Sequence, residues 1–543
     1  MQLKNKFKTL ARHVDAEDWD GLAEVFEDLL ENHHRELTYD QLTAGAKWML
    51  QAEKEELCLR LCQKAVLNDS TRVEAPEVMF FLFLSRHDVK SATDAIVVLR
   101  NANVEDKQKY VGWEILLHNE SGDYGQILAL YDDGRVIFER SDPRLSELVF
   151  SIVIALIAVN RVAEGRELVD RYYPKPSGEN PNILNLHAKM CQAEGQVDEA
   201  VRHFESVESR FAGQQVGIEA RWNKSLLQLS GGLLAQGWQS YEARWEWNLF
   251  TSKKYEFPSV RWSGEDLSGN SILLWGEQGI GDEILFLTLL PEVMKRGPSK
   301  IGILASHKIC PVLARWYPDA EIFSVQDIRG HKEELLGSGF DFHLPSGSLP
   351  LVLDRVDAEG TKHYLADGDD TRRLKEQILT EHPGKTIVVG LSWRSGVLTH
   401  KRVQYYLSHQ AIIDLVRSAP PEILFVSLQY GIDDDEIRDL GQEPNVLIPD
   451  EDFLDDLLSQ VRYIKACDLV VSSGSVCLAL AGISAIPCVT WGPKSSWTLL
   501  GTGKYPWFPL VHMIRCEPNW DLGGLVQQIQ KLIDVFHKRS VKT

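Results

Sequence analysis

From Pro258 onward, short apolar runs rich in β-branched residues alternate with helical stretches, and this alternation restricts the fold more than any other feature. The runs are SILLW (271–275), KIGILAS (300–306), AEIFSV (320–325), FDFHLPSG (340–347), TIVVGLSW (386–393), EILFVSLQY (422–430), NVLIPD (445–450), LVVSS (469–473) and PCVTW (487–491). Strands separated by helices predict parallel sheets with helices on their faces. The series breaks near EHPGKT (381–386), after the helical tract DDTRRLKEQIL, and a fresh strand follows. Two doubly wound domains facing a cleft are therefore expected, over residues 258–381 and 382–538. Ligands of such sheets bind beyond the carboxyl ends of the strands. That directs attention to five loops: GEQGIGDE, SWRSGVLTHKR, LQYGIDD, SSGSVC and WGPKSS.

Residues 1–250 have a different texture, with little strand pattern and recurrent short helices. Four breaks share a form: SGDYGQILALY (121–131), NRVAEGRELVD (160–170), GQVDEAVRHFE (195–205) and GLLAQGWQSYE (232–242). Each places a small or apolar residue at one inner position, namely Ile127, Gly165, Ala200 and Gly237, spaced 38, 35 and 37 residues apart. A period near 34 marks helix–turn–helix repeats that stack into a solenoid, because one helical pair cannot bury its apolar face alone. The expected architecture is thus α plus α/β: an N-terminal α-solenoid of tetratricopeptide-like repeats, then two Rossmann-like domains. Trp238, Trp245 and Trp247 are expected to pack the junction between the two parts.

The chain has 543 residues, too many for one core, and a formal net charge of −20. That charge argues against nucleic acid or an anionic membrane surface as a partner. No run is apolar for long enough to span a membrane, the opening MQLKNKFKTLARHVDAEDWD reads as a first helix and not a leader, and a cytoplasmic location is expected. Eight cysteines are scattered without a C-x-x-C pair, so neither a disulfide framework nor a metal site is signalled. Cys58 and Cys62, four apart, read as helix packing. A homo-oligomer is compatible with the sequence.

Three loops carry residues suited to chemistry. In GEQGIGDE, Gly279 and Gly281 let backbone approach a ligand, and Asp282 could take a proton from an acceptor hydroxyl; Glu277 and Glu283 are its rivals, and all three could equally serve the helix N-terminus. In SWRSGVLTHKR, Arg394, Ser395, Lys401 and Arg402 suit a diphosphate. In SSGSVCLALAG, Ser473, Gly474 and Ser475 open a helix and could cap it or hold phosphate. No P-loop and no G-x-S-x-G elbow is present.

The series GWQSYEARW, LLWGEQGIGDEILF, VVGLSWRSG with the following KR and YYLS, FVSLQYG, DLVVSSGSVCLALAG and a terminal PWFP with NWD covers more than half the chain. Together these pieces resemble bacterial tetratricopeptide-repeat proteins that carry a heptosyltransferase-like glycosyltransferase domain of the GT-B fold; O-GlcNAc transferase is similar in layout and more distant. The resemblance implies an inverting transfer from a nucleotide sugar without a metal or other cofactor. It implies Asp282 as base, Lys401 and Arg402 on the donor phosphate, Ser473, Gly474 and Ser475 at the diphosphate, and Gln429 and Tyr430 near the nucleobase. With a CMP-linked acid sugar, Arg394 would matter more. Where many relatives have Asp-Thr this chain has Ser472-Ser473, and where they have His it has Cys477. The function expected is sugar transfer to a hydroxyl of a protein, such as flagellin or another surface protein, recruited by the solenoid groove. The alternative is a non-catalytic scaffold built on a degenerate transferase domain.

Overall fold

A computed structural model describes the chain apart from residues 1–5, 7–8, 11, 14–15, 17, 34, 53, 87, 102–106, 143, 176–179, 329–335, 337–338, 355–363, 367–368, 396–404, 518–520 and 541–543. It divides into two compact units, Met1–Pro174 and Lys175–Thr543. The expected N-terminal helix falls largely among the residues left out.

Every regular element described in the first unit is a helix. Antiparallel neighbours such as Tyr39–Gln51 and Glu55–Asn68 bury one stripe each. Thr38 opens the former with a full capping box closed by Gln41. Cys58 and Cys62 are wholly buried one turn apart in that core, among Leu57, Leu61 and Ala65, as packing residues. Ile127 and Gly165 are also buried, so the periodic inner positions do face neighbouring helices.

The second unit begins with further hairpins, Pro181–Ala193 with Val197–Arg210 and Gln215–Ser230 with Leu234–Tyr241. Ala200 and Gly237 hold the inner positions here. A Cβ on Gly237 would come within 2.7 Å of Leu229 Cδ2, so the close approach of that last pair requires glycine.

Two sheets follow, every strand pair in them parallel. The first contains β1 (Val260–Arg261), β2 (Ser271–Trp275), β3 (Lys300–Ala305), β4 (Glu321–Ser324) and β5 (Phe342–Pro345), in the order β1-β5-β2-β3-β4. The second contains β6 (Ile387–Ser392), β7 (Ile423–Ser427), β8 (Val446–Leu447), β9 (Leu469–Ser472), β10 (Cys488–Pro493) and β11 (Val511–Cys516), in the order β11-β10-β9-β6-β7-β8. Central strands β2, β6, β7 and β9 are buried at every position, as sheets covered on both faces require. The chain is therefore a run of α-helical repeats followed by two Rossmann-like lobes. The expectation omitted β1 and β11, both at sheet edges.

In each sheet the strand order reverses once. From β2 the chain winds outward through β3 and β4 and returns to β5 on the other side of β2; from β6 it winds through β7 and β8 and returns to β9. The reversal points are thus β2/β5 and β6/β9, the positions at whose strand carboxyl ends folds of this kind bind ligands. The helix that leaves β2, Ile280–Leu287, packs against the helix that leaves β9, Val476–Ile483. Around them Phe286 stacks on Trp497, with ring centroids 6.2 Å apart, and Trp238 meets Phe286, Trp497 and Trp507 at 6.1–6.3 Å. Trp238 thus packs a junction, as expected, in one core with both lobes. A Cβ on Gly482 would lie 2.3 Å from the Phe508 ring, so this seam has no slack.

Candidate active site

The loop after β2 is built by its own carboxylates. Glu283 turns inward, where the Ser306 backbone N–H and hydroxyl donate to it, the latter at 2.9 Å. Burial pushes its pKa up to about 7, against the lowering effect of the Ser306 bonds. Its carboxylate also explains Gly276, where a Cβ would meet Glu283 Oε1 at 2.5 Å. Glu277 points inward too. It accepts from Arg244 Nε at 3.0 Å, and both side chains are wholly buried. Burial lifts its carboxyl above the usual range, with Arg244 pulling it back.

Arg244 is the hub of that region. Its other nitrogens donate to Glu242 Oε1 at 2.7 Å, Ser348 Oγ at 2.9 Å and the Tyr241 carbonyl at 3.2 Å. Burial works against its charge, and Glu277 and Glu242 more than offset this, leaving the guanidinium above its usual range. Ser348 lies just past β5, so the network ties the last helical hairpin to both strands of the first reversal point.

Of the three acids, Asp282 alone remains half-exposed. Its Oδ2 accepts from the Gly279 N–H at 3.4 Å, a long capping contact, so the capping role is realised in part. Burial is the main cause raising the pKa of Tyr241, Glu277 and Tyr505, and the charge of Asp282 adds a smaller push in the same direction to each. Before it sits Gln278, a non-glycine residue at φ +61°. Its side-chain amide donates to Tyr241 Oη at 2.6 Å, and its N–H to Ser252 Oγ at 2.6 Å. A left-handed glutamine costs about 1 kcal/mol or more and persists only where neighbours hold it.

At the second reversal point, Ser473, Gly474 and Ser475 form the turn from β9 into Val476–Ile483. The Ser473 N–H donates to the Ser392 carbonyl at 2.8 Å, fixing the turn against the end of β6. Ser473 Oγ is buried and has no hydrogen-bond partner among the described residues. Ser475 is the N-cap residue yet makes no side-chain capping bond; its hydroxyl lies 3.3 Å from that of Ser472. Cys477 is buried beneath them. Burial pushes its thiol up to about 12, with the Ser472 and Ser392 hydroxyls opposing, so it is a neutral packing group.

Gly279, Gly281 and Gly474 share a property. None has a positive φ, and a Cβ would meet nothing within 4 Å at Gly281 or Gly474, and only Asp282 Oδ2 at 3.7 Å at Gly279. The chain itself does not need glycine there; a ligand touching backbone would.

The other donor-side residues that are described make contacts within the fold. Gln429, expected beside the nucleobase, spends its amide on backbone: its Oε1 accepts from the N–H groups of Trp393 at 2.9 Å and Arg394 at 3.1 Å, and its Nε2 donates to the carbonyls of Arg394 and Tyr430. Arg394 pairs with Glu436 and donates to the Gly431 carbonyl. Ser395 Oγ lies 2.5 Å from Tyr406 Oη, and Tyr430 packs half-buried against the main core. Lys401, Arg402, Gly396, His400, Asn519 and Trp520 lie outside the described residues. Arg244, Tyr241 and Gln278 escaped the sequence-based assignment of roles; an arginine set among aromatic residues in YEARWEW was the signal for the first.

The fold is a helical-repeat segment joined to two Rossmann-like lobes, with a loop at the reversal point of each sheet. No family model matches the sequence. The chain is 28% identical over 307 residues to protein FlbA of Caulobacter vibrioides, covering 54% of this chain and 51% of FlbA, so it spans about half the length of that curated relative. Among solved structures it is similar to a glycosyl transferase family 9 protein from Veillonella parvula (12% identity, 51% of this chain and 98% of that one, TM-score 0.36). It is also similar to E. coli ADP-heptose LPS heptosyltransferase II (14%, 48% and 98%, TM-score 0.36) and to Thermobaculum terrenum O-GlcNAc transferase (9%, 92% and 93%, TM-score 0.26). These are distant likenesses, and the site geometry rests on none of them.

Proposed function

We propose that the chain transfers a sugar from a nucleotide-sugar donor to a hydroxyl of a polypeptide, with inversion and without a metal. The observation that carries this is the placement of two helix openings, Gly279–Asp282 and Ser473–Ser475, at the reversal points of two parallel sheets, on helices that pack together. In the transfer, Asp282 removes the acceptor proton as the acceptor oxygen bonds to the anomeric carbon and the bond to the donor phosphate breaks. The Gly474 N–H and the opening of the helix behind it stabilise the departing phosphate, and Lys401 and Arg402 supply positive charge to it. The helical repeats supply the polypeptide site, and flagellin or another surface protein is the class of acceptor to try first. The lobes form the nucleotide-sugar site, and the protein acts in the cytoplasm.

The test is Asp282→Asn. Transfer to the acceptor should fall by at least about 100-fold, within the range that a positioned base contributes, while nucleoside diphosphate binding measured by calorimetry stays within a few-fold. Undiminished transfer would refute the assignment. A second reading, a scaffold with a degenerate transferase domain, draws support from the internal commitment of Arg394 to Glu436 and of Gln429 to backbone. Absence of binding to every nucleoside diphosphate and to CMP would favour it.

A further inference from the structure

The hairpin Pro181–Ala193 and Val197–Arg210 turns at Gly195, which sits at φ +76°. His187 and Cys191 lie one turn apart on the first helix, and Glu199 and His203 one turn apart on the second. The two pairs are mirrored about Gly195, so in an antiparallel hairpin Cys191 faces Glu199 and His187 faces His203. The structure bears this out. Ligand-capable atoms of Cys191, Glu199 and His203 all lie within 4.8 Å of one another. The His187 and His203 rings are 6.1 Å apart, centroid to centroid, and His203 Nε2 is 3.9 Å from Glu199 Oε1.

We propose that this hairpin holds a borderline-soft divalent metal ion, of the zinc or cobalt type, through Cys191 Sγ, a Glu199 carboxylate oxygen and a His203 ring nitrogen. A thiolate, imidazole and carboxylate set suits such ions and not magnesium or calcium. Cys191 and His187 are buried while Glu199 is exposed, so the site is walled on the core side and open to entry from solvent. The buried His187 stands beside the three as a further nitrogen donor or as a partner that orients His203. On binding, Cys191 gives its thiol proton to solvent and the sulfur–metal bond forms. The ion would clamp two helices of one repeat across their shared face. It takes no part in the sugar transfer proposed above, and its test is independent of that reading.

The experiment is a titration of the chelator-stripped full chain with Co2+. One ion per chain should bind, with a sulfur-to-cobalt charge-transfer absorption in the near ultraviolet that Zn2+ abolishes. Cys191→Ser should lose that absorption, His203→Ala should weaken binding by at least about tenfold, and Cys58→Ser should leave both unchanged. No such absorption in the wild-type chain, or its persistence in Cys191→Ser, would overturn the site. Should Cys191→Ser fail to fold, His203→Ala, altered at a half-exposed position, decides the matter, and unchanged binding there would also overturn it.

Discussion

Glu283 shows how much one side chain can govern. Its carboxyl titrates near 7 in the folded chain against 4.5 as its ordinary value, with burial as the main cause. The folded pKa is the higher, so its contribution to stability is complete below about pH 4.5 and is lost as pH rises through 7. The full effect is on the order of 3 kcal/mol, since each tenfold difference in proton affinity between the folded and unfolded chain is worth about 1.4 kcal/mol. Glu283→Gln should therefore gain on the wild type between pH 4.5 and 8 when denaturation midpoints are compared; a constant difference between the two would show that the group stays ionised. The place of its neighbour Asp282 at a helix opening was legible in the sequence because an acid in a glycine loop is a local pattern. The left-handed Gln278 was not, since a hydroxyl 37 positions earlier, on Tyr241, holds it there.

Among elements, the buried strands and helical hairpins could be read because their signals are periodic and local. Two of the four edge strands resisted, for opposite reasons: β1 is two exposed residues, and β11 mixes buried and exposed positions with a histidine and an arginine facing out. Mirrored spacing about a turn, as in His187, Cys191, Glu199 and His203, is visible only once two helices are known to form one hairpin. The Arg244–Glu277 pair belongs to this scale, because it joins a short 3-10 turn to a strand–helix loop. Removing one partner leaves a buried charge alone, so Arg244→Met should destabilise by about 3–5 kcal/mol. Adding Glu277→Leu should recover a large part of that loss in a denaturant melt. Equal destabilisation of the single and double variants would mean the pair is not coupled.

At the scale of the whole chain, the division falls at Pro174/Lys175, whereas the change from helix to alternating strand comes some way later. The sequence marks texture, and texture changes at Pro258; compactness follows tertiary contacts such as Trp238 with Trp497 and Trp507, and although the tryptophan density marks Trp238 as a packing residue, no local pattern names its partners. A chain beginning at Lys175 should accordingly melt cooperatively as a soluble protein. One beginning at Val260 should aggregate or melt far earlier, because it lacks Trp238, Tyr241 and Arg244. Equal melting temperatures for the two by calorimetry would contradict this.

The grip of Tyr241 and Arg244 on Gln278 and Glu277 also bears on how such chains can be recombined. Any hybrid that takes its repeats from one parent and its lobes from another should be spliced ahead of Trp238, so that the segment to Trp247 travels with the lobes. A splice placed at the visible change of texture, near Pro258, would hand the acidic loop a foreign clamp.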